Sequence, residues 1–284
     1  MRQAGRCWWM FLLDILTRMG FAAMEVDKSY IFRSGEDTIA IWIHVNDGVI
    51  ASNSPNAVLD FKHRLCAEVD IKWHDTICQI VGLECVFGEG EVAIVQQHLT
   101  KGILDAYPWS IVKSNFPLLV LPPSGVAMEG ETLGVTPFRL VIGSLAYLVS
   151  GSHPDLAFVV NYLAWHSMAP TKEHWAILED VVGYLLTTQH HQLVMQPGKL
   201  SLNLWSNAGW GGDLEHSQTG VMLMLGNPPI LWSSKQQGVV ALSTCVGEYV
   251  ALLDSTQHLV QAISQLSRST RKFFVTIKLR SKYQ

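Results

Sequence analysis

Apolar and polar positions alternate between two periods along this chain, and the switches between them divide it. From Cys7 to Met19 apolar residues recur every three or four positions (Trp8, Phe11, Leu12, Ile15, Leu16, Met19), and Gly20 follows. That spacing predicts an amphipathic helix with a glycine stop. A period of two then predicts strands at Tyr30–Arg33, Thr38–Val45 and Val49–Ala51. Between the last two, His44-Val45-Asn46-Asp47-Gly48 reads as a tight hairpin whose Asn-Asp-Gly suits positive φ. Ser54-Pro55 predicts the N-cap and first residue of a helix with Val58, Phe61, Leu65 and Val69 inward. Ile80–Val86 and Val92–Gln96 read as a strand pair across Phe87-Gly88-Glu89-Gly90, and His98–Tyr107 as a short helix.

From Pro108 to Thr136 the pattern dissolves into prolines and glycines, a linker-like segment and the expected domain boundary. Helical periodicity returns at Pro137–Val149, Pro154–Met168 and Thr171–Thr187. After Pro197-Gly198 the period is two again: Leu200–Ser206, Thr219–Leu225, Ile230–Ser234 and Val239–Leu242 are expected strands. Ser243 or Thr244 then caps a helix running to about Leu266. Strands and helices in such blocks predict an α+β fold, and the last block has the content of an α+β domain without its final strand and helix.

Composition narrows the class. The chain has 284 residues, of which 49% are hydrophobic and 15% charged, with ten Trp and ten Phe. It can therefore bury a core, and disorder is excluded as its general state. Mean hydropathy is +0.21, yet no apolar run approaches the ~18 residues of a membrane helix. The start, Met1-Arg2-Gln3 with Cys7–Leu13 behind it, loosely imitates a signal peptide. Asp14 and Arg18 interrupt that imitation, so an intracellular protein in cytoplasm or nucleus, without membrane contact, is expected. The five cysteines (Cys7, Cys66, Cys78, Cys85, Cys245) are scattered, which fits a reducing compartment better than a disulfide framework. His63, Cys66, His74 and Cys78 could be drawn as a zinc site, but paired Cys-x-x-Cys spacing is absent and separate side chains are expected.

Charge is uneven. Residues 1–150 carry 11 basic and 16 acidic side chains, residues 151–260 carry 3 and 8, and residues 261–284 carry 6 and none. An acidic body argues against broad phosphate binding, while the basic tail could touch nucleic acid.

With these residues placed, the chain resembles the Pol polyprotein of Ty1/copia-type LTR retrotransposons, from about Gln3 to about Leu266. Colinear motifs carry the resemblance: Asp27-Lys28-Ser29-Tyr30-Ile31-Phe32, Val81-Gly82-Leu83-Glu84, the run Phe138–Leu148, His153-Pro154-Asp155-Leu156-Ala157, Pro170-Thr171-Lys172-Glu173-His174-Trp175, Trp232–Gln237, and Ala241–Leu252. The resemblance implies the end of a reverse-transcriptase palm at 1–107, the linker-like segment at 108–136, and a helical thumb or connection region at 137–198. It further implies an incomplete ribonuclease H-like domain at 199–266, with a basic tail at 267–284.

The same resemblance implies RNA-directed DNA polymerase and ribonuclease H chemistry, Mg2+ as cofactor, and RNA/DNA hybrid or other Pol segments as partners. Both reactions use carboxylates that hold two metal ions. His44-Val45-Asn46-Asp47 stands where the family has Tyr-Val-Asp-Asp, so Asp47 remains and Asn46 replaces an aspartate. Asn207-Ala208-Gly209-Trp210 stands where the family has Asp-Ala-Asp-Trp, so Asn207 and Gly209 replace acids, while Glu248 matches the helix acid. After Asp254 there is no Asp or Glu. Asp47 and Glu248 are thus the weak candidate ligands of a truncated, catalytically degraded fragment; the alternative is a retained nucleic-acid- or partner-binding module.

Overall fold

The hydrophobic alternation of Ile39, Ile41 and Ile43 folds into a buried strand face around which the first part of the molecule is assembled. In the computed structural model, residues 2–25, 27–45, 47–74, 76–106, 135–196, 201–211 and 216–269 are described. They divide into two units. One comprises residues up to Val81 with the last helix from Val260; the other runs from Gly82 to Leu259. Each mixes helices with antiparallel strands, the α+β class expected.

In the first unit, β1 (Ala22–Ala23), β2 (Tyr30–Arg33), β3 (Ile39–His44) and β4 (Asp47–Ser52) pair in that order. The helix α1 (Arg2–Arg18) brings Leu12, Ile15 and Leu16 into one core with the β3 isoleucines, and α2 (Pro55–Glu68) adds Phe61 and Leu65. Phe21 and Phe61 meet edge to face at 5.2 Å. The start of α2 follows the sequence: Pro55 is its first residue, and the Ser54 hydroxyl accepts from the Ala57 N–H at 3.4 Å. Asp27 of the Asp-Lys-Ser-Tyr motif turns the chain into β2, its Oδ1 accepting from the Ser29 N–H at 2.9 Å. The short β5 (Gln79–Ile80) comes last in this stretch.

The hairpin at 44–48 differs from expectation. Asp47 and Gly48 are strand residues, paired with His44 and Ile43, so Val45 is the described residue left for the turn. A two-residue turn matched to strand twist needs positive φ at its centre. Val45 takes it, at 53°, a strained value for a β-branched side chain. Asn46 lies outside the described residues.

The second unit opens with β6 (Leu83–Gly88) and β7 (Glu91–Val95), followed by α3 (Gln97–Asp105) and α4 (Val135–Gly151). The helix expected from Pro154 is split: Pro154–Leu156 is a tighter 3-10 turn, and α5 spans Ala157–Trp165. Next come α6 (Lys172–Thr188) and β8 (Leu193–Met195), a strand not expected from the sequence, which pairs with β7. The helical core centres on Phe138, Leu145, Leu148, Leu156, Leu163, Leu178 and Leu185, all 0% exposed. Burying each such side chain stabilises the fold by roughly 1.5–3 kcal/mol. The Pro-Thr-Lys-Glu-His motif builds the start of α6: the Thr171 N–H donates to His174 Nδ1 at 3.0 Å, closing a capping box.

The chain then forms β9 (Leu202–Gly209), β10 (Gln218–Leu225) and β11 (Pro229–Gln236), ordered β11-β10-β9, and ends its described part with α7 (Thr244–Ser269). Val239–Leu242, expected as a strand, is irregular, with Val239 54% and Leu242 81% exposed. Its Ala241 carbonyl accepts from the Trp210 indole at 3.0 Å, a side-chain partner in place of a strand ladder. Most of the linker-like segment, residues 107–134, and the tail from residue 270 lie outside the described residues.

Candidate functional site

Strand parity decides what each site residue faces. On β9 the even positions Leu202 and Leu204 are buried and the odd positions Trp205, Asn207 and Gly209 are exposed. The first turn of α7 packs on the even face. A Cβ placed on Gly247 would stand 3.7 Å from the Ala208 Cβ and 3.3 Å from Ser217 Oγ, so this glycine marks a close helix–strand approach. Farther along α7, Ser255 Oγ donates to Ser206 Oγ at 2.8 Å, again on the even face.

Asn207 is therefore turned away from α7. It pairs with Gly220, and Gly220 with Ser234, and these share the odd face. Glu248, half-buried, belongs to the helix on the other side of the sheet. Asn207 thus projects from the odd face, and Glu248 stands near the start of the helix that covers the even face. Asp213 lies outside the described residues. Asp254 is committed elsewhere: its Oδ1 accepts from Lys235 Nζ at 2.7 Å.

The odd face of the sheet lines a cavity of about 810 Å3, closed on its other side by the 3-10 turn and α5. Trp205, Trp232 and Phe158 supply aromatic wall; Asn207, Gln218 and Asp155 supply polar groups. The Trp232 indole donates to the Val149 carbonyl at 2.8 Å, and Gln218 Nε2 donates to Asn161 Oδ1 at 3.2 Å, so both are held in place. Asp155 was not singled out as a functional residue from the sequence. It is exposed, and its Oδ2 accepts from the buried Tyr184 hydroxyl at 2.6 Å. Burial, and then the neighbouring carboxylate, push the Tyr184 phenol well above its ordinary value, so it stays a donor. A Pro-Asp pair opening a helical segment signals only a helix start; the tyrosine 29 positions later could not be paired with it by pattern.

Asp47, in the first unit, stands exposed at the start of β4 and lines a cavity of about 580 Å3 with Trp8, Lys72, His74 and Cys78. Its strand partner His44 stacks on Trp42, ring centroids 5.8 Å apart. Cys66 and Cys78 are exposed thiols. Among the described residues no group of three His, Cys, Asp or Glu side chains is placed to hold a metal ion.

Mg2+ demands nearly ideal octahedral oxygen geometry, and a protein holds it through one or two carboxylates set beside water or phosphate oxygens. The side chains at hand do not supply that set. Asn207 offers an amide and Gly209 no ligand. Glu248 stands on the helix that covers the even face, and Asp47 is a lone described carboxylate in its cavity.

Residues 1–113 match the family model described as reverse transcriptase (RNA-dependent DNA polymerase). Over 277 residues the chain is 29% identical to the Retrovirus-related Pol polyprotein from transposon RE2 of Arabidopsis thaliana, covering 94% of this chain and 19% of that relative. Over 266 residues it is 24% identical to the putative transposon Ty5-1 protein YCL074W of Saccharomyces cerevisiae, covering 91% of this chain and 86% of that one. A solved foamy viral protease-reverse transcriptase in complex with double-stranded DNA aligns over 96% of this chain and 48% of its own, with TM-score 0.44 and 11% identity. The chain thus spans about a fifth of the length of the plant Pol polyprotein it matches.

Proposed function

The chain belongs to the Ty1/copia-type family of retrotransposon Pol polyproteins, and from that premise we propose that it is a reverse transcriptase and ribonuclease H segment no longer competent for metal-dependent catalysis. In this reading residues 1–107 derive from the polymerase palm, residues 137–198 from the thumb or connection region, and residues 199–266 from the ribonuclease H domain.

One observation carries the reading. The strand position that would hold a catalytic metal is Asn207, and the surviving acid, Glu248, lies on the helix that packs against the opposite face of the sheet. Bound metal contributes several kcal/mol of transition-state stabilisation in two-metal hydrolysis. An amide in place of one ligand and a glycine in place of the next acid forfeit much of that contribution. The polymerase side points the same way, with Asn46 in place of the first hairpin acid.

The deciding measurement is hydrolysis of a labelled RNA/DNA hybrid by the purified chain with Mg2+ or Mn2+. No turnover above a metal-only control is expected. Turnover that disappears in Glu248→Gln would overturn the proposal.

A second reading, a nucleic-acid-binding module without catalysis, is favoured by the aromatic cavity on the odd face of β9–β11. RNA/DNA hybrid is the partner the family suggests. Binding through phosphates weakens steeply with salt. Retardation of a hybrid in native gels, reduced at high salt and in a chain ending before residue 268, tests it.

A further inference from the structure

We propose that the cavity between the odd face of β9–β11 and the start of α5 is a binding site for an unpaired guanine base. This rests on the nucleic-acid-binding reading and names the site and the chemistry of its ligand. Three features of the lining select the ligand. The first is aromatic wall: Trp205 and Phe158 are 39% and 43% exposed, so their faces remain available, while Trp232 is fixed by its indole hydrogen bond. Stacking of a base on such rings contributes about 1–3 kcal/mol and suits any base.

The second is charge. Among the described residues no Lys or Arg lines the cavity, and the one ionic group there is the carboxylate of Asp155. A phosphate is repelled there, so the ligand enters base first. The third is the pattern of acceptors and donors. A carboxylate accepts two parallel N–H bonds when a planar partner offers them side by side. Guanine presents adjacent ring N–H and exocyclic amino donors on its pairing edge; adenine and cytosine present one donor group beside an acceptor. The Tyr184 hydroxyl occupies one lone pair on Asp155 Oδ2 and holds the carboxylate in place. The remaining lone pairs on both oxygens stay available. Asn207, exposed in the same cavity, supplies an amide that can meet the base's remaining edge. In this site the asparagine is a recognition group, which an aspartate would replace with a second negative charge.

The test uses the full chain and isothermal calorimetry with guanosine, adenosine, cytidine and arginine amide, all lacking phosphate. Guanosine is expected to bind at least about tenfold more tightly than the other two nucleosides, the low end of discrimination by a bidentate pair. The affinity should be insensitive to salt, unlike phosphate-driven binding. Trp205→Ala should weaken all nucleosides about tenfold. Asp155→Asn should erase the preference for guanosine. Because Asp155→Asn also disturbs Tyr184, Tyr184→Phe serves as a control that keeps the carboxylate and should keep the preference. Equal affinity for the three nucleosides, no saturable heat with guanosine, or binding of arginine amide alone would each overturn the proposal, the last by pointing to a protein ligand. If guanosine fails while salt-dependent retardation of hybrid persists, only the guanine site falls. If hybrid binding also fails, the binding reading falls with it.

Discussion

The rings of His166 and His174 stack with centroids 4.1 Å apart and planes within 19° of parallel. His174 is 3% exposed, its Nδ1 is used by the capping box, and its Nε2 is buried without a partner. Tyr162 packs against both rings. Burial lowers the pKa of each imidazole. The neighbouring His166 lowers His174 further, with Glu173 pulling weakly the other way. His153 is also lowered by burial, with opposing smaller influences from Asp155 and His191. In the unfolded chain these groups titrate near ~6.5. The unfolded state therefore binds more protons below that pH, so the stabilisation is complete above it and is lost as pH falls toward the depressed folded values. The urea midpoint should be lower at pH 5.5 than at pH 7.5. A double substitution, His166→Gln with His174→Gln, should flatten that difference. An unchanged pH slope in the double variant would rule out these two rings as its source.

Gly82 is constrained twice. Its φ is +70°, and a Cβ there would come within 2.5 Å of the Tyr147 hydroxyl oxygen. Gly82→Ala is expected to cost at least the ~1–2 kcal/mol of a left-handed non-glycine residue, with the contact added to it. Pairing it with Tyr147→Phe should recover part of the loss, because the nearest atom is removed. Equal denaturant midpoints for the single and double variants would show that backbone conformation alone sets the cost.

In the first unit the corresponding weak point is Phe61, 1% exposed and packed edge to face on Phe21. Phe61→Ala should destabilise by about 3–5 kcal/mol through lost burial and the cavity left behind. A loss below about 1 kcal/mol by urea denaturation would mean that the site collapses freely around the missing ring.

Much of this fold is legible in the residues. The Ser54-Pro55 cap, the isoleucine alternation of β3 and the apolar stripe of α6 each describe a local preference that the packing then satisfies. The failures share one cause, which is that local pattern does not name a partner. Val239–Leu242 has the residues of a strand but takes no ladder, since the Ala241 carbonyl is claimed by Trp210. Ala22–Ala23 and Leu193–Met195 are short and become strands only because β2 and β7 lie beside them. The site shows the same limit. Leu202 and Leu204 already place Asn207 on the opposite face of its strand, but nothing in the order of residues says which face α7 covers. Motif alignment puts Asn207 and Glu248 in one site; the fold sets Asn207 on the odd face of β9 and Glu248 on the helix that covers the even face.

That separation makes Asn207→Asp the sharpest measurement on this chain. If the proposed loss of catalysis were a matter of one missing carboxylate, restoring it would restore metal binding and hydrolysis. The register of β9 and β10 argues otherwise. The new carboxylate would project from the odd face beside Gly220 and Gly209, toward the cavity that holds Asp155. Glu248 would remain on α7, against the even face. The variant should therefore cleave RNA/DNA hybrid no faster than the parent with Mg2+ or Mn2+, and calorimetry should detect no site that depends on Glu248. It should also bind guanosine less tightly, since a second acid enters a cavity whose described lining holds no lysine or arginine. A rise in cleavage of tenfold or more, about 1.4 kcal/mol of barrier, that vanishes on adding Glu248→Gln would show that both carboxylates reach one metal.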